Sequence, residues 1–377
     1  MKVVFLSAST SRSAGGLYFT ITALTKALYS KGIDITVVGF DDVYSKEDRS
    51  GFGDVPVIAY HRYNIPIIRS FGYSSDLMKI LEMLSPDIIH LQGLWMYHSW
   101  AALKYKKRHQ EVKIVIEPHG MLDPWAVKNS FWKKKIVGYL FEYKNLKKAD
   151  CLHALCKSEL ESIRSFGLKN RVVIIPNGIN ISATFDIPKR NIIQYIGRIH
   201  PKKGLDLLVQ AVSLLALNHK EILDGWKVRI AGWDQNGYRT ELEKKVVDLG
   251  ITGYIEFSGP RFGLDKDKDF SESKAFILPS YSEGLPMSIL EAWSFRLPVI
   301  MTEYCNLPEG FEANAAIKIQ TTPQSVAEGL LKFLQLSDVE QKKIGENGYL
   351  LVSSRFTWDS IASKTIEMYE WHLNDIK

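Results

Sequence analysis

The sequence predicts an α/β protein built from two Rossmann-like domains, each with a parallel β-sheet. Short runs of β-branched and other apolar residues recur along the chain, and most are separated by segments with helical periodicity. Most runs are continuous rather than alternating, as expected of strands buried on both faces. Ten such runs exceed the usual sheet of one doubly wound domain, which favours two domains. They are VVFL (3–6), DITVV (34–38), DIIHL (87–91), KIVIE (113–117), RVVII (171–175), IIQYI (192–196), KVRIA (227–231), YIEF (254–257), AFIL (275–278) and PVIM (298–301).

A cluster of turn-forming residues marks the predicted boundary between the domains. Pro176, Asn177 and Gly178 follow the fifth strand, and the weakly patterned segment 180–190 precedes the sixth. We therefore expect an N-terminal domain over residues 1–184 and a C-terminal domain over residues 185–356. The sequence becomes helical after residue 323, and a last amphipathic helix is predicted from Thr357 to about Leu373, within residues 357–377.

The composition is typical of a globular protein, with 46% hydrophobic and 24% charged residues, so a disordered chain is excluded. No apolar run approaches the ~18 residues that a membrane-spanning helix needs, and the apolar run at the N-terminus is too short for a signal peptide. Cys151, Cys156 and Cys305 have neither disulfide-framework nor zinc-ligand spacing. We expect buried free thiols and a cytoplasmic protein.

The net charge of +6 is unevenly distributed. Residues 1–180 carry 25 basic and 16 acidic side chains, whereas the rest of the chain carries 23 and 26. Within residues 101–150, 12 basic side chains face five acidic ones. Basic residues beside aromatic ones on a helix suit attachment to an anionic lipid surface. The alternatives are a solvated helix face over a core stripe, and a nucleic-acid surface, which we do not expect because no nucleic-acid motif is present. The aromatic residues among these cations are Trp125, Phe131, Trp132, Tyr139, Phe141 and Tyr143.

Two loops at predicted strand ends of the first domain carry candidate ligand-binding residues. In open parallel sheets, ligands bind at the carboxyl ends of the strands, where helix N-termini present unpaired amides. The first loop contains Gly15 and Gly16, without the GxGxxG spacing of a dinucleotide site. The second contains His119 between Pro118 and Gly120. A glycine pair is also an ordinary turn device, and a lone histidine is more often structural.

A third loop, residues 197–204, begins the second domain's candidate site. Arg198 and Lys203 in this loop supply cations suited to phosphate oxygens, and its glycines let the backbone approach a ligand closely. A solvated basic turn is the alternative. No Asp-x-Asp cluster lies at a predicted strand end, so we expect the two cations to replace a divalent metal.

A fourth loop leads from strand 275–278 into a helix. The backbone amides of Gly284 and Leu285 lie just before the predicted helix start and suit an anion. Glu283 precedes them and Glu291 lies within the helix. Eight residues leave two side chains about 80° apart around a helix. We therefore expect the two glutamates to contact different parts of one extended ligand.

Taken together, these motifs resemble those of the retaining glycosyltransferases of family 4, over nearly the whole chain. The resemblance implies the GT-B architecture, with two Rossmann-like domains facing each other across a cleft and the last helix crossing back onto the first domain. Because the implied site residues lie in both domains, we expect the domains to close during transfer. The motifs, besides the Gly-Gly loop, are IHLQGLW (89–95), PHGMLDPWA (118–126), IPNGI (175–179), IGRIHPKKGLDLL (196–208), LPSYSEGLPMSILEA (278–292) and FTWDSIA (356–362).

The resemblance also implies a role for each candidate residue. Glu283 resembles the residue that contacts hydroxyls of the donor sugar, and Glu291 resembles the one that holds the nucleotide ribose. His119 matches the histidine beside the transferring sugar. No cofactor or metal is implied, since the nucleotide-sugar donor is a substrate. The residues implied for the donor and its diphosphate are Gly15, Gly16, Arg198, Lys203, Gly284 and Leu285.

One local pattern departs from the family. After the second glutamate the family often has a small residue and a glycine, whereas this chain has Phe295 and Arg296. The shape of this turn is therefore left open by the sequence, although the phosphate-binding residues before it are present.

The resemblance favours transfer of a hexose from a UDP-sugar, by family frequency, to a lipid-linked sugar acceptor in bacterial surface polysaccharide assembly. The basic first domain would meet that acceptor at the inner face of the cell membrane. The alternatives are a sugar phosphorylase or synthase of the same fold, a dehydrogenase, and a non-catalytic membrane-surface binding module. The absence of GxGxxG opposes the dehydrogenase, and the complete set of site residues opposes the binding module. The oligomeric state is not predicted.

Overall fold

The computed structural model describes residues 1–63, 71–181, 185–234 and 236–374, with side chains as far as Trp371. The chain divides into two compact units, Met1–Gly178 together with Trp358–Lys377, and Ile179–Thr357. Part of the linker that the sequence predicts over 180–190, including residue 184 at the predicted domain end, lies outside the described residues. In the part of the chain that is described, no helix combines the length and the apolar character needed to cross a membrane.

The first unit contains a seven-stranded parallel sheet in the order β3-β2-β1-β4-β5-β6-β7. Its interior strand β1 is buried on both faces: Val3 and Phe5 pack in one hydrophobic cluster, whereas Val4 and Leu6 pack in another on the opposite face. This two-sided burial explains the continuous apolar run in the sequence. The strands are β1 (Lys2–Ser9), β2 (Asp34–Phe40), β3 (Val57–Tyr60), β4 (Ile88–Gln92), β5 (Lys113–Glu117), β6 (Cys151–Ala154) and β7 (Val172–Ile174).

Helices cover both faces of this sheet. A π-helix, Gly138–Glu142, interrupts the helical segment after the fifth strand, and such turns occur frequently at functional sites. The α-helices are α1 (Gly16–Ser30), α2 (Ser45–Asp48), α3 (Asp76–Leu84), α4 (Tyr97–Arg108), α5 (Pro124–Lys128), α6 (Phe131–Val137), α7 (Tyr143–Lys148) and α8 (Lys157–Ser165).

The second unit contains a six-stranded parallel sheet in the order β10-β9-β8-β11-β12-β13. Its central strands β8 and β11 are completely buried, as expected of strands covered by helices on both sides. The strands are β8 (Ile192–Ile196), β9 (Lys227–Ala231), β10 (Ile255–Gly259), β11 (Ala275–Leu278), β12 (Val299–Thr302) and β13 (Ala316–Ile319).

The helices of the second unit connect successive parallel strands and then continue as a helical region after the last strand. Its longest helix begins with a capping box, in which Ser337 and Glu340 each bond the other's backbone amide. The helices are α9 (Leu205–Asn218), α10 (Lys220–Leu223), α11 (Tyr238–Asp248), α12 (Gly263–Glu272), α13 (Met287–Ser294), α14 (Pro308–Glu312), α15 (Pro323–Leu334) and α16 (Asp338–Arg355).

The last helix, α17 (Trp358–Asn374), belongs to the first unit. Ile361 and Tyr369 are buried in the same hydrophobic cluster as Leu28 of α1. Outside the cluster, Lys31 Nζ lies 2.7 Å from Asp359 Oδ1. The prediction of a terminal helix that returns to the first domain is confirmed.

The sequence correctly predicts two parallel α/β sheets, but it misses three of the thirteen described strands. Strands β3 and β13 lie at sheet edges, where their short runs VIAY and AIKI are only partly buried. Strand β6, CLHA, has only four residues, and none of them is β-branched. The three thiols are free and buried, as predicted.

The turn after α13 keeps a left-handed conformation although it lacks glycine. Arg296 has φ 58°, and its amide donates to the Trp293 carbonyl oxygen at 3.0 Å. The Arg296 guanidinium lies 3.5 Å from the centre of the Tyr349 ring and contacts Glu346. These contacts of the side chain offset the strain of a positive φ at a non-glycine residue.

Candidate active site

Lys203 and Glu283 form an ion pair at the carboxyl ends of β8 and β11. Lys203 Nζ lies 2.7 Å from Glu283 Oε1, and the two side chains are only 16% and 10% exposed. The hydroxyl of Ser280 donates to the same carboxylate oxygen. Because solvent screens a partly buried pair less than a surface pair, the interaction fixes both side chains in this loop region.

Close packing of the two loops brings this pair together. Gly204 has φ 67°, and a Cβ atom at this position would lie 2.1 Å from the carbonyl oxygen of Pro279. Only glycine permits both the conformation and the approach. The amide of Tyr281 also donates to the carbonyl oxygen of Lys202 at 3.0 Å. The sequence predicts both loops as binding loops, but not that their backbones touch.

Residues at the end of β12 and directly after it bind the loop that carries Glu283. Glu283 donates its amide to the carbonyl oxygen of Tyr304 at 2.9 Å. Asn306 Nδ2 donates to the carbonyl oxygens of Glu283 and Gly284 at 2.6 and 3.1 Å. Thr302 Oγ1 donates to the carbonyl oxygen of Ser280 at 2.7 Å. Sequence reasoning missed Asn306, whose only signal is the Asn-Leu-Pro turn after the apolar run of β12.

The amides of Gly284 and Leu285 precede α13 and are available to a ligand. Among the described residues, neither amide donates a hydrogen bond to another group of the protein. A Cβ atom on Gly284 would have no neighbour within 4 Å, so the backbone is open on this side. Unpaired amides before a helix suit an anion, because the helix dipole adds positive potential there.

Arg198 lies beside the same cluster. Its carbonyl oxygen accepts a hydrogen bond from the hydroxyl of Tyr195 at 2.7 Å, and its side chain is exposed. Burial raises the pKa of Tyr195 well above its ordinary value; the charge of Glu283 raises it further, and that of Arg198 opposes the rise. For His200 the effect of burial has the opposite sign and lowers the pKa, and the charges of Arg198, Lys202 and Lys203 lower it further. Cations therefore concentrate at the end of β8.

Glu291 has a different partner from Glu283. Its Oε1 atom lies 2.7 Å from Lys266 Nζ on α12, and the two side chains are about one quarter to one third exposed. The two glutamates of the motif are thus each paired with a lysine from a separate loop or helix. The sequence gives no signal for Lys266, which lies within the charged run DKDKD (265–269).

In the first unit, a cluster of serines shapes the loop before Gly15 and Gly16. Oδ2 of Asp42 accepts hydrogen bonds from the hydroxyls of Ser9 and Ser11 at 2.8 and 2.7 Å, and from Ser13. Burial disfavours the charge of Asp42, but these hydroxyl donors lower its pKa to about 2. Gly15 has φ 62° and precedes α1, and a Cβ atom on either glycine would meet nothing within 4 Å. The side of the loop that faces away from the core is therefore open.

His119 lies in the loop after β5 in a strained conformation. Its φ is 52°, which is uncommon for a residue other than glycine and is often found at functional sites. His119 Nε2 lies 2.8 Å from the side-chain oxygen of Gln92, and its Nδ1 lies 3.4 Å from Glu117 Oε1. The amide of Gly120 donates to Glu159 Oε1 at 2.6 Å and fixes the loop. The sequence singles out His119 but not its partners.

The family models match both units of the chain. The model of the glycosyl transferases group 1 matches residues 180–351, and that of glycosyltransferase family 4 matches residues 14–183. The chain belongs to the family 4, group 1 glycosyltransferases. The resemblance inferred from the motifs is thereby confirmed.

Relatives and solved structures agree with this family. An uncharacterized glycosyltransferase of Methanocaldococcus jannaschii is 26% identical over 369 residues, which cover 94% of each chain. The O-antigen chain mannosyltransferase B of Escherichia coli is 26% identical over 181 residues, 47% of this chain and 45% of that protein. The structure of HepE from Anabaena in complex with UDP has a TM-score of 0.76 and 17% identity, and the match covers 98% of this chain and 100% of that one. The GT-B fold class is thereby confirmed.

Proposed function

We propose that this glycosyltransferase moves a hexose from a nucleoside-diphosphate sugar to a sugar acceptor carried on a lipid, with retention of the anomeric configuration. The observation that carries the proposal is the Lys203–Glu283 pair, enclosed next to the unpaired amides of Gly284 and Leu285. The proposed ligand has a diphosphate at one end and a polyhydroxyl ring at the other. The cation and the unpaired amides suit the diphosphate, and the carboxylate suits the hydroxyls of the ring.

The chemistry follows from where charge develops. As the glycosidic bond breaks, the leaving diphosphate gains negative charge, and groups that bind this charge more strongly in the transition state lower the barrier. In our proposal Lys203 and Arg198 neutralise the diphosphate, and the two amides donate to its oxygens. Glu283 accepts hydrogen bonds from sugar hydroxyls, and Glu291 accepts them from the ribose.

Retention and metal independence are parts of the same proposal. A diphosphate oxygen accepts the proton of the attacking hydroxyl on the face from which the leaving group departs, so the configuration is kept. Arg198 and Lys203 supply the positive charge that a divalent metal would otherwise supply. His119 is proposed to lie beside the transferring sugar, as the family resemblance implies.

We favour a UDP-sugar donor and a role in bacterial surface polysaccharide assembly. The binding of UDP by HepE supports the first choice, and the similarity to an O-antigen chain mannosyltransferase supports the second. A thermal-shift screen with UDP, GDP and ADP tests the donor, because a ligand at 100 times its dissociation constant stabilises by about 2.7 kcal/mol. Stabilisation by GDP or ADP but not by UDP would overturn the choice of UDP.

Turnover with a panel of sugar nucleotides tests the reaction itself. Release of the nucleoside diphosphate with formation of a glycosidic bond to an added sugar acceptor is the expected result. A sugar phosphorylase of the same fold would instead need inorganic phosphate, and a non-catalytic module would release nothing. The anomeric configuration of the product, read by NMR coupling constants, tests retention.

A surface of the first unit supports the membrane part of the proposal. Six large apolar side chains along α5, α6 and the following π-helix are exposed, four of them by 72–75%. Basic residues lie among them, and Lys135 Nζ lies 5.4 Å from the centre of the Trp132 ring. Phe141, which the sequence places with these aromatic residues, is buried and belongs to the core. We call the six residues the aromatic patch: Trp125, Phe131, Trp132, Ile136, Tyr139 and Leu140.

An exposed apolar patch beside cations suits the boundary between lipid headgroups and acyl chains. We propose that the aromatic patch attaches the protein to anionic lipid on the inner face of the cell membrane, where it would meet the proposed lipid-linked acceptor. Sedimentation with vesicles that contain anionic lipid is expected to pull down the wild-type protein at low salt.

The matched variants Leu140→Ser and Leu217→Ser test whether the aromatic patch is responsible. The two leucines are 74% and 78% exposed, but Leu217 lies on α9 in the second unit. We expect Leu140→Ser to weaken sedimentation and Leu217→Ser to leave it unchanged. Equal binding by both variants, or no binding by the wild type, would contradict the proposal.

A further inference from the structure

Two histidines and a glutamate meet in the interior of the first unit. His90 on β4, Glu117 at the end of β5 and His153 on β6 lie on neighbouring strands of the sheet. The three side chains are 2% exposed or less. Each side chain offers one nitrogen or oxygen atom that could bind a metal, and these atoms lie within 4.8 Å of one another. No other such group of three is found among the described residues.

Each histidine is oriented by a hydrogen bond on its outer side. His153 Nε2 lies 2.8 Å from the carbonyl oxygen of Ile175, which can only accept, so this nitrogen carries the proton. His90 Nδ1 lies 2.7 Å from the hydroxyl of Tyr369 on α17. The second nitrogen of each ring, His153 Nδ1 and His90 Nε2, is therefore turned toward Glu117. Outer partners of this kind are typical of histidines that bind metals.

The carboxylate between them lacks donors of its own. Within the described part of the chain, neither oxygen of Glu117 receives a hydrogen bond of acceptable geometry. An unpaired buried carboxylate is costly. A neutral His153 would also direct the lone pair of Nδ1 at a carboxylate oxygen. A metal ion between the three groups, or a proton on His153 Nδ1, would supply the positive charge that both features call for.

The distances between the three inner atoms have the size expected of a tetrahedral metal site. His90 Nε2 and His153 Nδ1 lie 3.5 and 3.3 Å from Glu117 Oε2, and 3.4 Å from each other. Nitrogen and oxygen ligands bound to zinc at about 2.0–2.2 Å lie about 3.3–3.6 Å apart at the corners of a tetrahedron. A proton shared by His153 and Glu117 would instead favour a separation of about 2.7–2.9 Å.

We propose that His90, Glu117 and His153 bind one divalent cation, with Zn²⁺ as the preferred ion. Two imidazoles and one carboxylate suit zinc, and three protein ligands leave the fourth position to water or to the second oxygen of Glu117. The ion would join β4, β5 and β6. It would also fix Glu117, which lies 3.4 Å from Nδ1 of His119, so the three ligands act as positioning residues for the His119 loop.

This site is separate from the proposed neutralisation of the diphosphate. The prediction of a metal-independent reaction concerns the diphosphate, whose charge is assigned to Arg198 and Lys203 in the second unit. A zinc ion held in the first unit takes no part in that neutralisation. The test of the metal site therefore uses metal content and stability rather than turnover.

Elemental analysis of the purified chain, with its affinity tag removed and no chelator present, gives the direct test. We expect about one zinc per chain in the wild type and less than about a tenth of that in His153→Gln. His98→Gln is the matched control, because His98 is also buried but lies outside the group of three, with its Nε2 atom 3.1 Å from the carbonyl oxygen of Gln92. Zinc content equal in His153→Gln and the wild type would overturn the assignment of the ligands.

A second measurement on the wild-type chain avoids reliance on variants that fail to fold. The chain is stripped with a chelator, dialysed and titrated with Co²⁺ or Zn²⁺ alone. We expect the visible absorption of tetrahedral Co²⁺ at one equivalent, its loss when Zn²⁺ is added, and a higher melting temperature with either ion. A stripped chain that takes up neither ion and melts at an unchanged temperature would refute the site and leave a protonated His153 as the partner of Glu117.

Discussion

Replacing Lys203 by alanine separates the role of this cation from the charge of its loop. Lys203 is 16% exposed and bonds Glu283 at 2.7 Å, whereas the neighbouring Lys202 is exposed. Lys203→Ala and Lys202→Ala each remove one positive charge from the same turn. Lys202→Ala is therefore a control for the general electrostatic effect of the loop.

The expected loss follows from the interactions that disappear. A hydrogen bond to a charged group contributes about 1.5–3 kcal/mol. If Lys203 binds the diphosphate more strongly in the transition state, its removal lowers kcat/KM roughly tenfold to a hundredfold or more, since about 1.4 kcal/mol corresponds to a factor of ten. The carboxylate of Glu283 also loses its cation and then faces the diphosphate with Ser280 as its remaining described partner, which places the effect toward the upper end.

Nucleotide release from the active sugar nucleotide measures both variants, and circular dichroism checks that each is folded. We expect Lys203→Ala to lose most of its kcat/KM while Lys202→Ala stays within a few-fold of the wild type. Equal rates for the two folded variants would refute the assignment of Lys203 to the diphosphate.

Two further predictions concern stability. Gly204→Ala forces a Cβ atom against the Pro279 carbonyl oxygen at a positive φ, so we expect a loss of more than about 1 kcal/mol in urea unfolding, whereas Gly253→Ala, with no neighbour within 4 Å, should change little. Burial raises the pKa of Glu142 to about 7 in the folded state, above its ordinary 4.5, so the folded state binds the extra proton. The proton's contribution to the free energy of unfolding is fully present below pH 4.5 and is lost as the pH rises through about 7. We therefore expect the melting temperature to fall less between pH 5 and pH 8 in Glu142→Gln than in the wild type. An identical fall in the two proteins would contradict this prediction.

The sequence predicts the fold well where burial is two-sided. Strands such as β1 and β11 contain continuous apolar runs because helices cover both of their faces, and that pattern is visible in the chain alone. Strand β6 was missed because it has only four residues and none of them is β-branched, and its His153 faces Glu117 and His90 rather than a purely apolar core. These polar partners of His153 become visible only when the neighbouring strands are known.

The candidate site shows the same division between local and long-range information. Lys203 and Glu283 each stand out as members of local motifs, but their ion pair joins residues 80 positions apart and depends on the contact of Gly204 with Pro279. Lys266 has no local signal at all. Exposure is likewise set by packing: Phe141 and Leu140 are adjacent and equally apolar, yet the first is buried and the second is 74% exposed.

A crystal structure with the nucleoside diphosphate that most stabilises the chain would test the central claim most directly. We predict diphosphate oxygens within about 3 Å of the side chains of Arg198 and Lys203 and of the amide of Gly284 or Leu285. In that state Lys203 would turn at least partly from Glu283 to the phosphate. A diphosphate bound elsewhere, with the Lys203–Glu283 pair unchanged and both amides still unpaired, would contradict the account.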